Sequence, residues 1–229
     1  MTREVLYRLL RQYYRETIDK YGVHDKTISV GYEEQESEIV LTAEYEGAVG
    51  ECSTSFPVEF NGKLSEILEF DIENDLEKRS VFIASLNALM NKCKLSDDCV
   101  SCLKDDRENC AERIVGFYKK NNGKVKILLN GYQPHIMKAL VDNFQVRVLD
   151  LNPNHIGKIY NNVVVEDGTS AFADASWWAD IALCSGSALS DGTIVDYMNM
   201  PKDIIYYGTT IAGCARILQL RRLCPYARN

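Results

Sequence analysis

The sequence is short of several things, and each shortage removes a class of function. It has no basic excess: 26 Lys and Arg stand against 33 Asp and Glu, a net charge of -7. Nucleic-acid-binding faces are basic, so this balance argues against DNA or RNA as a partner. No run approaches the roughly 18 consecutive apolar residues of a membrane helix. The first residues, Met1-Thr2-Arg3-Glu4-Val5-Leu6, mix charge with apolarity and lack a signal-peptide core. The expectation is a cytoplasmic chain with no membrane partner. In that compartment its eight cysteines are thiols or ligands rather than disulfides. Only three histidines are present, His24, His135 and His155, and there is no Gly-x-Ser-x-Gly elbow, so a hydrolase triad has little to draw on. Solenoid-length repeats and low-complexity tracts are also missing.

What the chain does have is one local event repeated three times between Lys124 and Gly213. An apolar run stops at a glycine, and a helix-like segment follows. Val125–Asn130 stops at Gly131, Ile181–Ser185 at Gly186, and Ile204–Tyr207 at Gly208. Such runs, alternating with helical segments, predict a parallel sheet covered on both faces. Two further β-like runs, 146–150 and 163–165, make five strands. A doubly wound order of 3-2-1-4-5 brings Gly131 and Gly186 face to face, where such folds bind ligands. Asp150 ends the second strand 19 residues after Gly131, near the spacing of a ribose-binding acid. The turn Gly131-Tyr132-Gln133-Pro134 is not a dinucleotide fingerprint, however, and a solvated strand-end Asp is the plainer reading. The Ser185-Gly186-Ser187 and Gly208-Thr209-Thr210 turns offer hydroxyls and free N–H groups to a ligand. Ser187 and Thr209 acting as simple helix caps is the alternative.

Upstream, residues 3–21 read as an amphipathic helix stopped by Gly22. Residues 27–31, 38–45 and 47–56 read as strands, with Glu33 to Ser37 a polar turn. Leu64 to Phe70 reads as a short helix, and Asp71 to Glu77 as an acidic connection. Ser80 to Met90 is apolar almost all round, which predicts a helix buried between two layers. Asn87 is its lone amide, to be satisfied either by backbone or by a cleft ligand. Helical character resumes at 111–120. Between these helices lies Cys93-x5-Cys99-x2-Cys102-x7-Cys110 among aspartates. Four thiolates in a compact polar stretch predict one metal centre, an iron–sulfur cluster such as [4Fe–4S], or zinc. An exposed loop of reduced thiols is the alternative. Cys52, Cys184, Cys214 and Cys224 read as buried small hydrophobes.

Four segments carry a family resemblance: Ser85-Leu86-Asn87-Ala88-Leu89, Leu129-Asn130-Gly131-Tyr132-Gln133-Pro134, Cys184 through Thr193, and Tyr207-Gly208-Thr209-Thr210. The chain resembles an uncharacterised family described as a heavy-metal chelation domain. The resemblance implies an α/β fold: a small α+β domain resembling the enolase N-terminal domain, then a Rossmann-like parallel sheet. It also implies a site in the cleft between them. Asp191 stands where that family often carries Asn, and the four-cysteine stretch lies outside the shared pattern.

The expected organisation is therefore residues 1–92 as the small domain, 93–110 as a four-cysteine connection and 111–229 as the Rossmann-like domain. The expected function is binding of a metal ion or small metal-containing ligand in the cleft. Asn87, Gly131, Asp150, Gly186, Ser187, Asp191, Thr193, Gly208, Thr209 and Thr210 would lie near it, with Cys93, Cys99, Cys102 and Cys110 on a second centre. An iron–sulfur redox protein and a non-catalytic small-molecule module are the alternatives. The sequence leaves homo-oligomerisation open.

Overall fold

A computed structural model describes residues 1–35, 38–122 and 125–229. It contains a four-stranded antiparallel sheet and a six-stranded, mostly parallel sheet. The first helix, α1 (Arg3–Tyr21), begins at a Thr2 cap and ends at Gly22, whose φ of 64° suits a residue without a Cβ. Its buried stripe of Leu6, Leu10, Tyr14 and Ile18 faces the core. Strands β1 (Thr27–Gln35), β2 (Glu38–Tyr45), β3 (Ala48–Thr54) and β4 (Phe60–Lys63) form the first sheet in the order β3-β2-β1-β4. The expected polar turn from Glu33 is corrected: β1 pairs with β2 through Gln35 and Glu38, and residues 36–37 lie outside the described residues. A short helix, α2 (Leu64–Ile67), leads to α3 (Leu76–Lys92), capped by Asp75. Strand β4 carries only four residues with a shallow burial alternation, too little for periodicity to signal it.

Helix α3 is buried on all sides, as its sequence predicts, because it lies between the two halves of the molecule. One side meets β2 and β3, where Gly50 lets the backbones touch. A Cβ built there would fall 2.1 Å from the Ala88 nitrogen and 2.6 Å from the Ala84 oxygen. No side-chain rotation relieves a clash with helix backbone. Gly50→Ala is expected to lower stability by about 1–3 kcal/mol or more, the usual penalty of overpacking, read as a lower urea midpoint. Arg79 on α3 is 1% exposed. Its guanidinium donates to the Ile72, Glu73 and Ser190 carbonyl oxygens and lies 4.6 Å from the Tyr7 ring centroid. A buried cation needs such partners. These contacts fasten the first half of the chain to the second.

The second sheet begins after α4 (Arg107–Asn122). Strands β5 (Lys126–Asn130), β6 (Gln145–Asp150), β7 (Ile159–Tyr160), β8 (Val163–Asp167), β9 (Ile181–Ser185) and β10 (Asp203–Tyr207) take the order β10-β9-β5-β6-β8-β7. All pairings are parallel except that of β7 with β8. The five strands read from the sequence thus lie in the expected order 3-2-1-4-5, with β7 added as a short edge hairpin. Lys124, named at the start of the glycine-turn region, lies outside the described residues.

Both faces of this sheet are covered, which explains the unbroken apolar runs. Ile127 and Leu129 pack with Ile114, Tyr118 and Met137 from α4 and α5 (Pro134–Val141). Leu128 points to the opposite core, which continues without a break into the α1 and α3 residues. That core also receives α6 (Gly168–Trp178), α7 (Ser187–Asp191), α8 (Ile194–Met198) and α9 (Ala212–Leu218). Among the described residues, no helix is long and apolar enough to cross a membrane.

The connection from Cys93 to Asp106 is held without burying many apolar groups. Val100 and Arg228 exchange backbone hydrogen bonds at 2.8 and 2.7 Å, so the C-terminal tail pairs with it. Arg222 donates to the Asp98 oxygen and Arg228 to the Ser101 oxygen, each at 2.8 Å. The buried Glu51 carboxylate accepts from the Ser101 backbone N–H at 2.8 Å. α4 starts at Arg107, four residues before the expected helix, so Cys110 belongs to that helix and not to the connection.

Candidate functional site

The chain reverses strand order between β5 and β9, and the cleft opens at the carboxyl ends of β5, β6 and β9, beneath the β1–β2 hairpin and the end of β3. It is a cavity of about 830 Å³. Glu34, Glu38, Asp150 and Asp191 contribute four carboxylates to its lining, and His155 one imidazole. Among the described residues that line it, none is Lys or Arg. Ser53, Gln133 and Ser187 add neutral polar groups.

Asp191 ends α7, just before Gly192, whose φ of 81° terminates the helix. The residue is exposed and lines the cavity. Burial, and then the Asp150 charge, push it up from 3.8 to about 6, against the pull of Arg79. Water in the cavity screens part of this effect. Burial also pushes Glu38 up, while Ser53, Gln133, Arg107 and His155 favour its ionised form. Burial thus opposes ionisation of two of the acids that line the cavity.

Asp150 has a different task. It accepts from the Tyr132 N–H at 2.6 Å and the Asn152 N–H at 2.7 Å, and it meets His155 Nδ1 at 3.1 Å. It therefore holds the Gly131 turn and the following loop while lining the cavity. A proton on His155 Nδ1 makes that contact a hydrogen bond to the carboxylate, and in the neutral ring the lone pair is then on Nε2. That Nε2 is buried with no hydrogen-bond partner. The Tyr132 and His155 rings lie tilted against each other with centroids 5.0 Å apart, and Lys158 lies 4.9 Å from the centroid of the Tyr132 ring. The sequence did not single out this dyad. Its one signal was the five-residue interval from Asp150 to His155 across an Asn-Pro-Asn loop, a generic turn composition.

A second, smaller cavity of about 130 Å³ adjoins the first and shares Gln35, Glu38, Ser53, Gln133, Ser185 and Ser187 with it. Gly186, Gly208, Thr209 and Thr210 line it, together with Cys102, Cys110 and Cys224. The hydroxyl turns are largely satisfied internally. Ser187 donates to Ser185 Oγ at 3.0 Å, Thr209 donates to Glu51 at 3.2 Å, and Thr210 Oγ1 accepts from the Ser53 N–H at 2.8 Å. A Cβ on Gly186 would lie 2.9 Å from the Ile211 nitrogen. This glycine is needed for the approach of the neighbouring turn, and a side chain there would strike protein before ligand.

Two of the residues expected near the cleft line neither cavity. Thr193 precedes α8. Asn87 is fully buried and its amide is satisfied by backbone. Nδ2 donates to the Glu51 oxygen at 2.8 Å and reaches the Thr209 and Thr210 oxygens at 3.2 and 3.1 Å; Oδ1 accepts from the Gly213 N–H at 2.8 Å. Of its two expected roles, Asn87 performs the backbone one.

The fold is shared with proteins of the DUF364 family. A structure from Desulfitobacterium hafniense DCB-2, a DUF364 protein of unknown function, is similar with a TM-score of 0.54 at 11% identity, covering 91% of this chain and 82% of that one. A DUF364 protein of unknown function from Pyrococcus horikoshii is similar with a TM-score of 0.49 at 15% identity, covering 88% and 79%. No protein-family model matches the sequence, and no curated protein is similar to it. At these identities the likeness concerns the fold alone.

The donor set of the cleft does not fit a resident metal ion. Among the described residues, no three His, Cys, Asp or Glu side chains are grouped to hold one. The four cysteines of the connection are not gathered at one point either. Cys93 caps the C-terminal end of α3, where Lys20, Lys92 and Glu46 are its charged neighbours. Cys99 is buried beside Ser96. Cys102 and Cys110 instead share the second cavity with Cys224.

Proposed function

We propose that the cleft binds a small, positively charged molecule rich in hydrogen-bond donors. The reading rests on one observation: among the described residues, four carboxylates and no lysine or arginine line a cavity large enough for a metabolite-sized ligand. The interior opposes ionisation of Asp191 and Glu38, and a bound cation would relieve that opposition. Protonated amines and guanidinium groups meet this requirement. A cationic metal complex also meets it, because the metal brings most of its own ligands and needs only one donor from the protein. His155 supplies a donor of that kind when its loop shifts enough to expose Nε2, which is buried in the empty protein. The metal-containing ligand expected from the sequence remains within this reading as cargo. Binding without catalysis accounts for every group described in the cleft.

Isothermal titration calorimetry with agmatine, spermidine and the copper(II)–diethylenetriamine complex tests the reading, with citrate as an anionic control. At least one cation is expected to bind with a stoichiometry of one, and citrate is not. His155→Phe, which keeps a ring against Tyr132, should weaken the copper complex selectively and leave the amines unchanged. Tighter binding of citrate than of every cation would overturn the proposal.

A further inference from the structure

We propose that Cys224 is a redox-active thiol that closes a reversible intramolecular disulfide with Cys102 or Cys110. The proposal is independent of the ligand reading. Three thiols from distant parts of the chain line one cavity: Cys102 from the connection, Cys110 from α4 and Cys224 from the C-terminal tail. Backbone pairing brings them there. Leu223 donates to the Tyr206 oxygen at 2.8 Å, immediately before Cys224. The Val100–Arg228 bridge fixes the other end of the tail, two residues before Cys102. Cys224 is an electrostatic neighbour of both Cys102 and Cys110. All three are partly exposed and all are free thiols.

The remaining cysteines are placed differently. Cys52, Cys99, Cys184 and Cys214 are buried, and Cys93 lies at the far end of α3. A metal ion would require a convergence of donors that the described residues do not make. A disulfide requires only two sulfurs. Burial raises both Cys102 and Cys110, the latter to about 12, so each forms little thiolate. Cys224 is common to both pairings, and the first attack is assigned to it.

The oxidant is a hydroperoxide. The Cys224 thiolate displaces hydroxide from hydrogen peroxide and becomes a sulfenic acid. The sulfur of Cys102 or Cys110 then attacks it, the S–O bond breaks, and water leaves. The sum is two thiols plus one hydrogen peroxide giving one disulfide plus two waters. The product staples the tail to α4 or to the connection, over the second cavity. Arg222 in that tail donates to the Gly208 oxygen at 2.8 Å, so the staple would also fix the glycine turn of β10.

The test is oxidation of the intact chain with stoichiometric hydrogen peroxide, followed by intact-mass analysis, thiol counting in denaturant and non-reducing peptide mapping. The monomer is expected to lose two mass units and two of its eight thiols, and to regain both with dithiothreitol. The map should join the Cys224 peptide to that of Cys102 or Cys110. Cys224→Ser, and separately the Cys102→Ser/Cys110→Ser double variant, should each form no disulfide. A persisting intramolecular disulfide in either variant, a wild-type link through Cys93 or Cys99, or oxygen addition to the wild type without loss of two mass units would overturn the assignment.

Discussion

Asp191→Asn is expected to weaken binding of a cationic ligand by about ten- to a hundredfold, the worth of one charge-assisted hydrogen bond at roughly 1.5–3 kcal/mol. The same variant should change how the empty protein responds to pH. In the folded chain Asp191 titrates at about 6, against an ordinary value of 3.8. Folding thus favours its protonated form. Stability from this group is fully present below about pH 4 and is lost as the pH rises through 6. Asp191→Asn removes that loss, so the variant should gain melting temperature relative to wild type at pH 7.5 and little at pH 4. Ligand affinity runs the other way. Wild-type binding should strengthen from pH 5 to pH 7 as the carboxylate ionises, and the variant should show a flatter profile. Calorimetry and thermal melts across that range check both halves. An Asp191→Asn protein that binds every cation as tightly as wild type would remove this carboxylate from the site.

Asn87→Leu is expected to be the most damaging single change outside the apolar core. The leucine has the same branching and heavy-atom count, is bulkier, and makes none of the hydrogen bonds to Glu51, Thr209, Thr210 and Gly213. Each buried backbone group left without a partner costs about 1–3 kcal/mol. A loss of roughly 3–5 kcal/mol is therefore expected, a large share of the stability of a typical domain. Denaturant unfolding gives the measurement. A shift below 1 kcal/mol would mean that water or a rearranged turn replaces the amide.

Much of this fold can be read from the sequence because its signals are strong and local. Helix α1 has a cap, a periodic stripe and a glycine stop, and its observed bounds are those expected. The parallel strands are unbroken apolar runs because both faces are covered, and each of the three glycine turns falls at a strand end. Strands β4 and β7 are too short for periodicity to reveal. The acidic cavity is a different case. Glu38 and Asp191 are 153 positions apart, and nothing local in either segment says that both face one space. The thiol cluster was hidden in the same way. Sequence proximity grouped Cys102 with Cys93 and Cys99, whereas pairing of the tail with the connection groups it with Cys224. Asn87 was legible as a buried amide, but its partners were not, because they are backbone atoms of a remote turn.

Helix α3 packs against the first sheet through Gly50 and against the start of α9 through Gly213, whose Cβ position lies 2.9 Å from Asn87 Oδ1. Two halves joined by a flexible linker can swing apart to admit a ligand. Two halves cemented to opposite sides of one rod cannot. The rod here also carries Arg79, clasping carbonyls from both halves. The cleft is accordingly a standing chamber whose walls keep their distance. Entry and exit fall to the segments at its mouth, above all the loop from Leu151 to His155. For the proposed ligand, stopped-flow association is expected to show a rate that rises linearly with ligand concentration, without the saturation that a slow closure imposes.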